Sequence, residues 1–212
     1  MMQDVEALLR TLDAQNPQID EVTINLLEKI AQDIGAVGWE IGPDIGDPRI
    51  SSLSFNAGLS EERLQAISHS ISIIDPIDCW ILYAGLPPKD WEIFFEIEGE
   101  NGAAIPIEGS EWHCTAIEGP SRDCLALYAP PNLKVTESTL QKCAELIAIG
   151  EIGEKNCIDF FSDISVHRVD HSHPMSGGLV SLAEFAKKFA TAHPESAFSG
   201  LLQRKRCGTI ER

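Results

Sequence analysis

The apolar positions of this 212-residue chain change period along its length: helical at the start, alternating through the middle, helical again near the end. Val5, Leu8, Leu9 and Leu12 fall at i, i+3, i+4 and i+7, the spacing of one buried helical stripe. In a second helix Asn16 stands where a cap belongs, Pro17 suits the first helical position, and Asp20 and Glu21 favour the first turn. Leu27, Ile30, Ala31 and Ile34 make its stripe and Gly35 ends it. Residues 1–35 therefore read as a helical hairpin that packs on the rest of the chain or on a partner.

Two short strands, Val37–Ile41 and Ile50–Phe55, are expected on either side of the turn-rich segment 42–48. Ser60 caps a helix to about Ile74, with Leu64, Ile67 and Ile71 inward and Leu59 placed to staple against Leu64. Strands follow at Cys79–Ala84, Trp91–Ile97, Ala103–Ile107, Glu111–Ile117 and Asp123–Tyr128. In the second of these, Trp91, Ile93, Phe95 and Ile97 share one face, while Glu92, Phe94, Glu96 and Glu98 share the other. That sheet should be covered on one side and wet on the other.

Leu140, Cys143, Ala144 and Ile147 mark a helix interrupted at Gly150–Gly153, with Ile158 and Phe161 in its continuation and a strand near Ile164–Val169. Ser181 with Glu184 makes a capping box, Val180 with Phe185 a staple, and Leu182, Phe185, Ala186 and Phe189 the stripe of the last helix. From His193 onward the chain reads as a tail. The expected organisation is a hairpin at 1–35, an α+β domain at 36–192 and a tail at 193–212. Its fold class is α+β: a mostly antiparallel sheet with helices packed on one face, for which a ferredoxin-like core is one arrangement. No sequence repeat is present.

Charge changes this picture most. Residues 1–160 carry 28 acids against 9 bases, and residues 161–212 carry 5 against 7, so the net charge of -17 belongs to the body of the chain. Such a field repels nucleic acid and anionic membrane and favours a basic protein surface. The three bases Arg204, Lys205 and Arg206 do not offset it. The acidic, quickly amphipathic N-terminus predicts neither a signal nor a transit peptide. No apolar run approaches the length of a membrane span. The six cysteines form no C-x-x-C, and Cys79, Cys114, Cys124 and Cys143 sit in apolar segments, which predicts reduced, buried thiols and a cytoplasmic location.

Catalytic templates do not fit. Ser176 before Gly177-Gly178 makes no nucleophile elbow, and the Gly150–Gly153 segment follows no strand as a phosphate loop would. No cofactor is implied. The densest group of ligand types is His167, Asp170, His171 and His173, with imidazoles at alternating positions that suit zinc, nickel or copper; His113 is a further ligand the fold could deliver. The wet acidic face is the other candidate: Glu92, Glu96 and Glu98, joined by Glu111 if the strands pair as a meander, can meet the lysines and arginines of a partner. Lys89 and Trp91 belong to a loop, Gly85–Trp91, that two prolines stiffen for recognition. Loop acids Asp44 and Asp47 read as turn chemistry, and Asp159 with Asp163 as a helix end.

Three segments together resemble a group of uncharacterised bacterial proteins: Gly38-Trp-Glu-Ile-Gly-Pro43, Pro87-Pro88-Lys89-Asp90-Trp91 and Gly150-Glu-Ile-Gly-Glu154. The group shares a "GWEvGPG" strand, a "KPPKDW" loop and a late "GE" helix end, and is loosely akin to ribonuclease E inhibitor B-like modules. The likeness spans about residues 36–170 and departs at Gly85-Leu86. It implies an acidic α+β module of inhibitor or immunity type and brings no catalytic residue. Two functional readings follow from the residues: a module that binds a basic protein, and a metal-dependent enzyme built on His167–His173. A third use, homodimerisation through residues 1–35, is open to the helical hairpin.

Overall fold

The computed structural model describes residues 2–12, 17–99, 102–168 and 179–194. The chain divides into two compact units, Met1–Pro87 and Pro88–Ala197. The division falls within the stretch 36–192 expected from the sequence to be a single body.

The first unit holds α1 (Met2–Thr11), α2 (Glu21–Asp33), β1 (Gly38–Pro43), β2 (Ser51–Asn56), α3 (Glu61–Ser72) and β3 (Trp80–Ala84). The helical hairpin forms, and its stripe is used internally: Val5, Leu9, Leu27, Ile30 and Ala31 are buried, α1 lies on α2, and α2 lies on β1. The second helix starts later than Asn16 and Pro17 suggest. Asp20 takes the cap by accepting the Thr23 N–H at 2.8 Å, and hydrogen bonds from Thr23 hold its carboxyl below the ordinary carboxylate value. Asn16 itself lies outside the described residues. β2 is the central strand, antiparallel to β1 and parallel to β3, because α3 crosses between the last two. Ser60 caps α3 as its sequence position predicts.

The second unit begins with a hairpin, β4 (Phe94–Glu98) and β5 (Ala104–Glu108), followed by a 3-10 turn at Gly109–Glu111. Then come β6 (His113–Ile117), β7 (Asp123–Ala129), α4 (Glu137–Ile152), α5 (Glu154–Phe160), β8 (Phe161–Arg168), β9 (Val180–Ser181) and α6 (Leu182–Ala192). The larger sheet has the order β8-β7-β6-β9, antiparallel except where α4 and α5 carry the chain from β7 to a parallel β8. α4 packs on β7 and β8, α6 on β6 and β9, and the two helices touch.

The fold is α+β, in three small sheets with antiparallel pairs in the majority. Each unit contains a run of two strands, a helical crossover and a third strand, and neither has the βαββαβ order of a ferredoxin-like core. Among the described residues no helix is long and apolar enough to cross a membrane.

Local departures have local causes. α4 runs straight through Gly150 and breaks only at Gly153, whose φ of 91° and ψ of 141° suit glycine alone. Gly150 serves packing instead: a Cβ there would come within 2.6 Å of Ile93 Cδ1. Phe161 opens β8 instead of continuing a helix, and its ring joins Phe185 and Phe189 of α6. His193 caps the end of α6 and lies 4.5 Å from the Phe160 ring centre, so the packed body extends past the expected start of the tail. Of the capping box, only the Glu184 N–H to Ser181 bond forms; the Glu184 carboxylate pairs with Lys188 at 2.8 Å.

Candidate functional site: an acidic hairpin

The alternation around Glu96 becomes a two-stranded sheet. Phe94, Glu96 and Glu98 are exposed, Phe95 and Ile97 half-buried, and β5 answers with exposed Ala104, Pro106 and Glu108 against inward Ile105 and Ile107. The register sets Phe94 opposite Glu108, Glu96 opposite Pro106 and Glu98 opposite Ala104. Glu108 therefore stands on the wet face where the sequence suggested Glu111. Glu111 lies outside the strands, exposed in the 3-10 turn, because the chain leaves the hairpin at Gly109 and re-enters a sheet only at His113. Alternation already carried the signal for Glu108, one residue beyond the expected end of that strand.

What holds the hairpin on its unit is Ile93. It is buried, its carbonyl accepts the Gly109 N–H at 2.8 Å, and it fills the space left by the missing side chains of Gly109 and Gly150. Beside it the Lys89 N–H donates to the Gly150 carbonyl at 2.6 Å, tying the proline-stiffened loop to α4. The Lys89 ammonium sits 5.1 Å over the ring of Trp91, which is 53% exposed. Lys89 and Trp91 are thus brought together. Trp91 lies before β4 and is exposed, where alternation predicts it on the covered face with Ile93, and Phe94 on β4 is 59% exposed. The other tryptophans pack: Trp80 and Trp112 are buried and Trp39 is half-buried.

Glu92, Glu96, Glu98, Glu108 and Glu111 are all exposed, and among the described residues none makes an ion pair or side-chain hydrogen bond. Some other acids are engaged. Asp44 is buried and accepts from Tyr83 Oη at 2.5 Å and from the N–H groups of Gly46 and Asp47, and Asp47 pairs with Arg49, as turn chemistry requires. Asp159 pairs with Lys155 on α5 while Asp163 lies on β8, so these two do not act together. Glu151 on α4 is a carboxyl that sequence reading passed over. Burial raises its pKa first, Lys187 opposes that, and Glu92 adds to it.

Burial pushes Cys114 up to about 12, with Glu151 contributing, and burial likewise raises Cys143 and Cys157. Cys79 departs from the expectation of a reduced thiol: it is disulfide-bonded, half-buried just before β3. Of the histidine segment, Asp170, His171 and His173 lie outside the described residues. His167 is exposed on β8, with Nε2 3.3 Å from Ser165 Oγ and its ring 5.3 Å from that of Tyr128. His113 shares its cross-strand row, but Tyr128 on β7 stands between them. Among the described residues no group of three metal-ligand side chains comes together.

Compared with known proteins, the chain matches no family model, no curated protein and no solved structure.

Proposed function

We propose that this chain is an acidic protein-binding module, of inhibitor or immunity type, that engages a basic partner through the wet face of its β4–β5 hairpin. The observation that carries the reading is the set of exposed carboxylates at Glu92, Glu96, Glu98 and Glu108, which find no cation among the described residues, together with the exposed rings of Trp91 and Phe94. A carboxylate left unpaired at the surface keeps its full attraction for an incoming lysine or arginine, and a neighbouring aromatic supplies apolar area for the contact. Lys89 lies over the indole of Trp91. Glu111, exposed beyond the hairpin, extends the acidic field.

The test is a complex with a basic protein that survives about 150 mM salt, where charges more than about 8 Å apart are already screened. Charge reversal at Glu92, Glu96 and Glu98 together is expected to abolish it. A complex indifferent to those reversals overturns the reading.

A further inference from the structure

The phase of the β4–β5 ladder shows which main-chain groups the hairpin leaves unused. The Gly109 N–H reaches the Ile93 carbonyl and the Gly99 N–H reaches the Ala103 carbonyl, so the odd-numbered residues of β4 carry the inter-strand bonds. Phe94, Glu96 and Glu98 sit in the non-bonded pairs, and their N–H and C=O groups point away from β5. No other strand joins this sheet among the described residues, and none of the three makes a main-chain bond elsewhere. On β5 the equivalent outward positions are Ala104, Pro106 and Glu108. Pro106 has no N–H to offer, so the outer edge of β5 lacks its central donor and is closed to a further strand.

One edge is shut and the other open. The open edge displays the same residues whose side chains form the acidic face. We propose that β4 binds its partner by strand addition: an extended segment of the basic protein pairs with the outward groups of Phe94, Glu96 and Glu98. Its cationic side chains then lie beside Glu96 and Glu98. This rests on the acidic-module reading and adds to it the conformation of the partner and the atoms that bind it.

The experiment uses the full chain and a strand-length peptide of alternating lysine and valine, with two twins N-methylated at every lysine or at every valine. All three peptides carry the same charge. Antiparallel addition uses the lysine N–H groups opposite Glu96 and Glu98; parallel addition uses those of valine. One twin is therefore expected to lose about tenfold or more in affinity while the other binds like the parent. Hydrogen exchange at the Phe94, Glu96 and Glu98 amides should slow on binding, and that at Ala104 and Glu108 should not.

Equal binding of all three peptides, with the β4 amides unprotected, overturns strand addition. Replacing Glu96 and Glu98 by lysine separates the two ideas. If peptide affinity ignores that reversal, the acidic reading fails; if it falls while both twins bind like the parent, only strand addition fails.

Discussion

The two units follow one plan and bury it differently. In each, an antiparallel pair of strands leads through a helical crossover to a third strand parallel to the second: β1-β2-α3-β3 in one, β6-β7-α4-α5-β8 in the other. In the first, α3 presents one inward stripe, Leu64, Ile67 and Ile71, and leaves the rest in water. In the second, α4 buries Leu140, Cys143, Ala144, Ile147, Ala148, Ile149, Gly150 and Ile152. It has more to touch: the sheet, α6, and Ile93 of the added hairpin. A crossover helix that is covered on several sides becomes a platform, and the acidic hairpin stands on that platform. What the second unit adds to the common plan is therefore also what carries the candidate site.

The comparison is broken most sharply by making one substitution in both helices. Ala148→Glu puts an unpaired carboxylate into the buried side of α4 and is expected to cost about 3–5 kcal/mol, whereas Ala66→Glu on the exposed side of α3 should change stability by no more than about 0.5 kcal/mol. Denaturant melts of the two variants check this. Unit one has its own buried polar anchor. Tyr83→Phe removes the hydrogen bond to buried Asp44 and should cost about 1.5–3 kcal/mol by the same measurement.

Next comes the break between α4 and α5, a device the first crossover lacks. Gly153→Ala forces a side chain onto a glycine-only backbone and is expected to lose about 1–3 kcal/mol. Ile73→Ala, at the ordinary end of α3, should cost no more than about 0.5 kcal/mol. The smallest effect is at Glu151. Its folded pKa lies above the ordinary value, so its charged form weakens the fold at neutral pH. Glu151→Gln should raise the melting temperature at pH 7, and that gain should vanish as pH falls below about 4.5, where the native carboxyl is neutral as well. Melting curves across that range decide it.

Period and caps made most elements legible. Ser60 and Ser181 start the helices their positions predict, because a hydroxyl three residues before a free N–H is a local fact. Gly150 and Gly153 could not be told apart in the same way. One is a glycine for want of space against Ile93 and the other for its backbone angles, and neither reason is written within its own segment. The exposure of Glu92, Glu96 and Glu98 was legible from alternation alone, but the places of Glu108 and Glu111 depended on where β5 ended. Ladder phase lay further out of reach. Which amides of β4 face outward depends on pairing between residues far apart in the chain, and a period of two is the same for either phase. The parallel β2–β3 and β7–β8 pairs were hidden likewise, since direction is decided by what crosses between strands.

Pro106 decides how far an assembly built on this hairpin can grow. A sheet with two receptive margins can take a strand on one side and present a fresh margin on the other, and repetition yields a ribbon without end. A hairpin whose far margin holds a proline offers a strand no place on that side, so growth past β5 stops at Pro106.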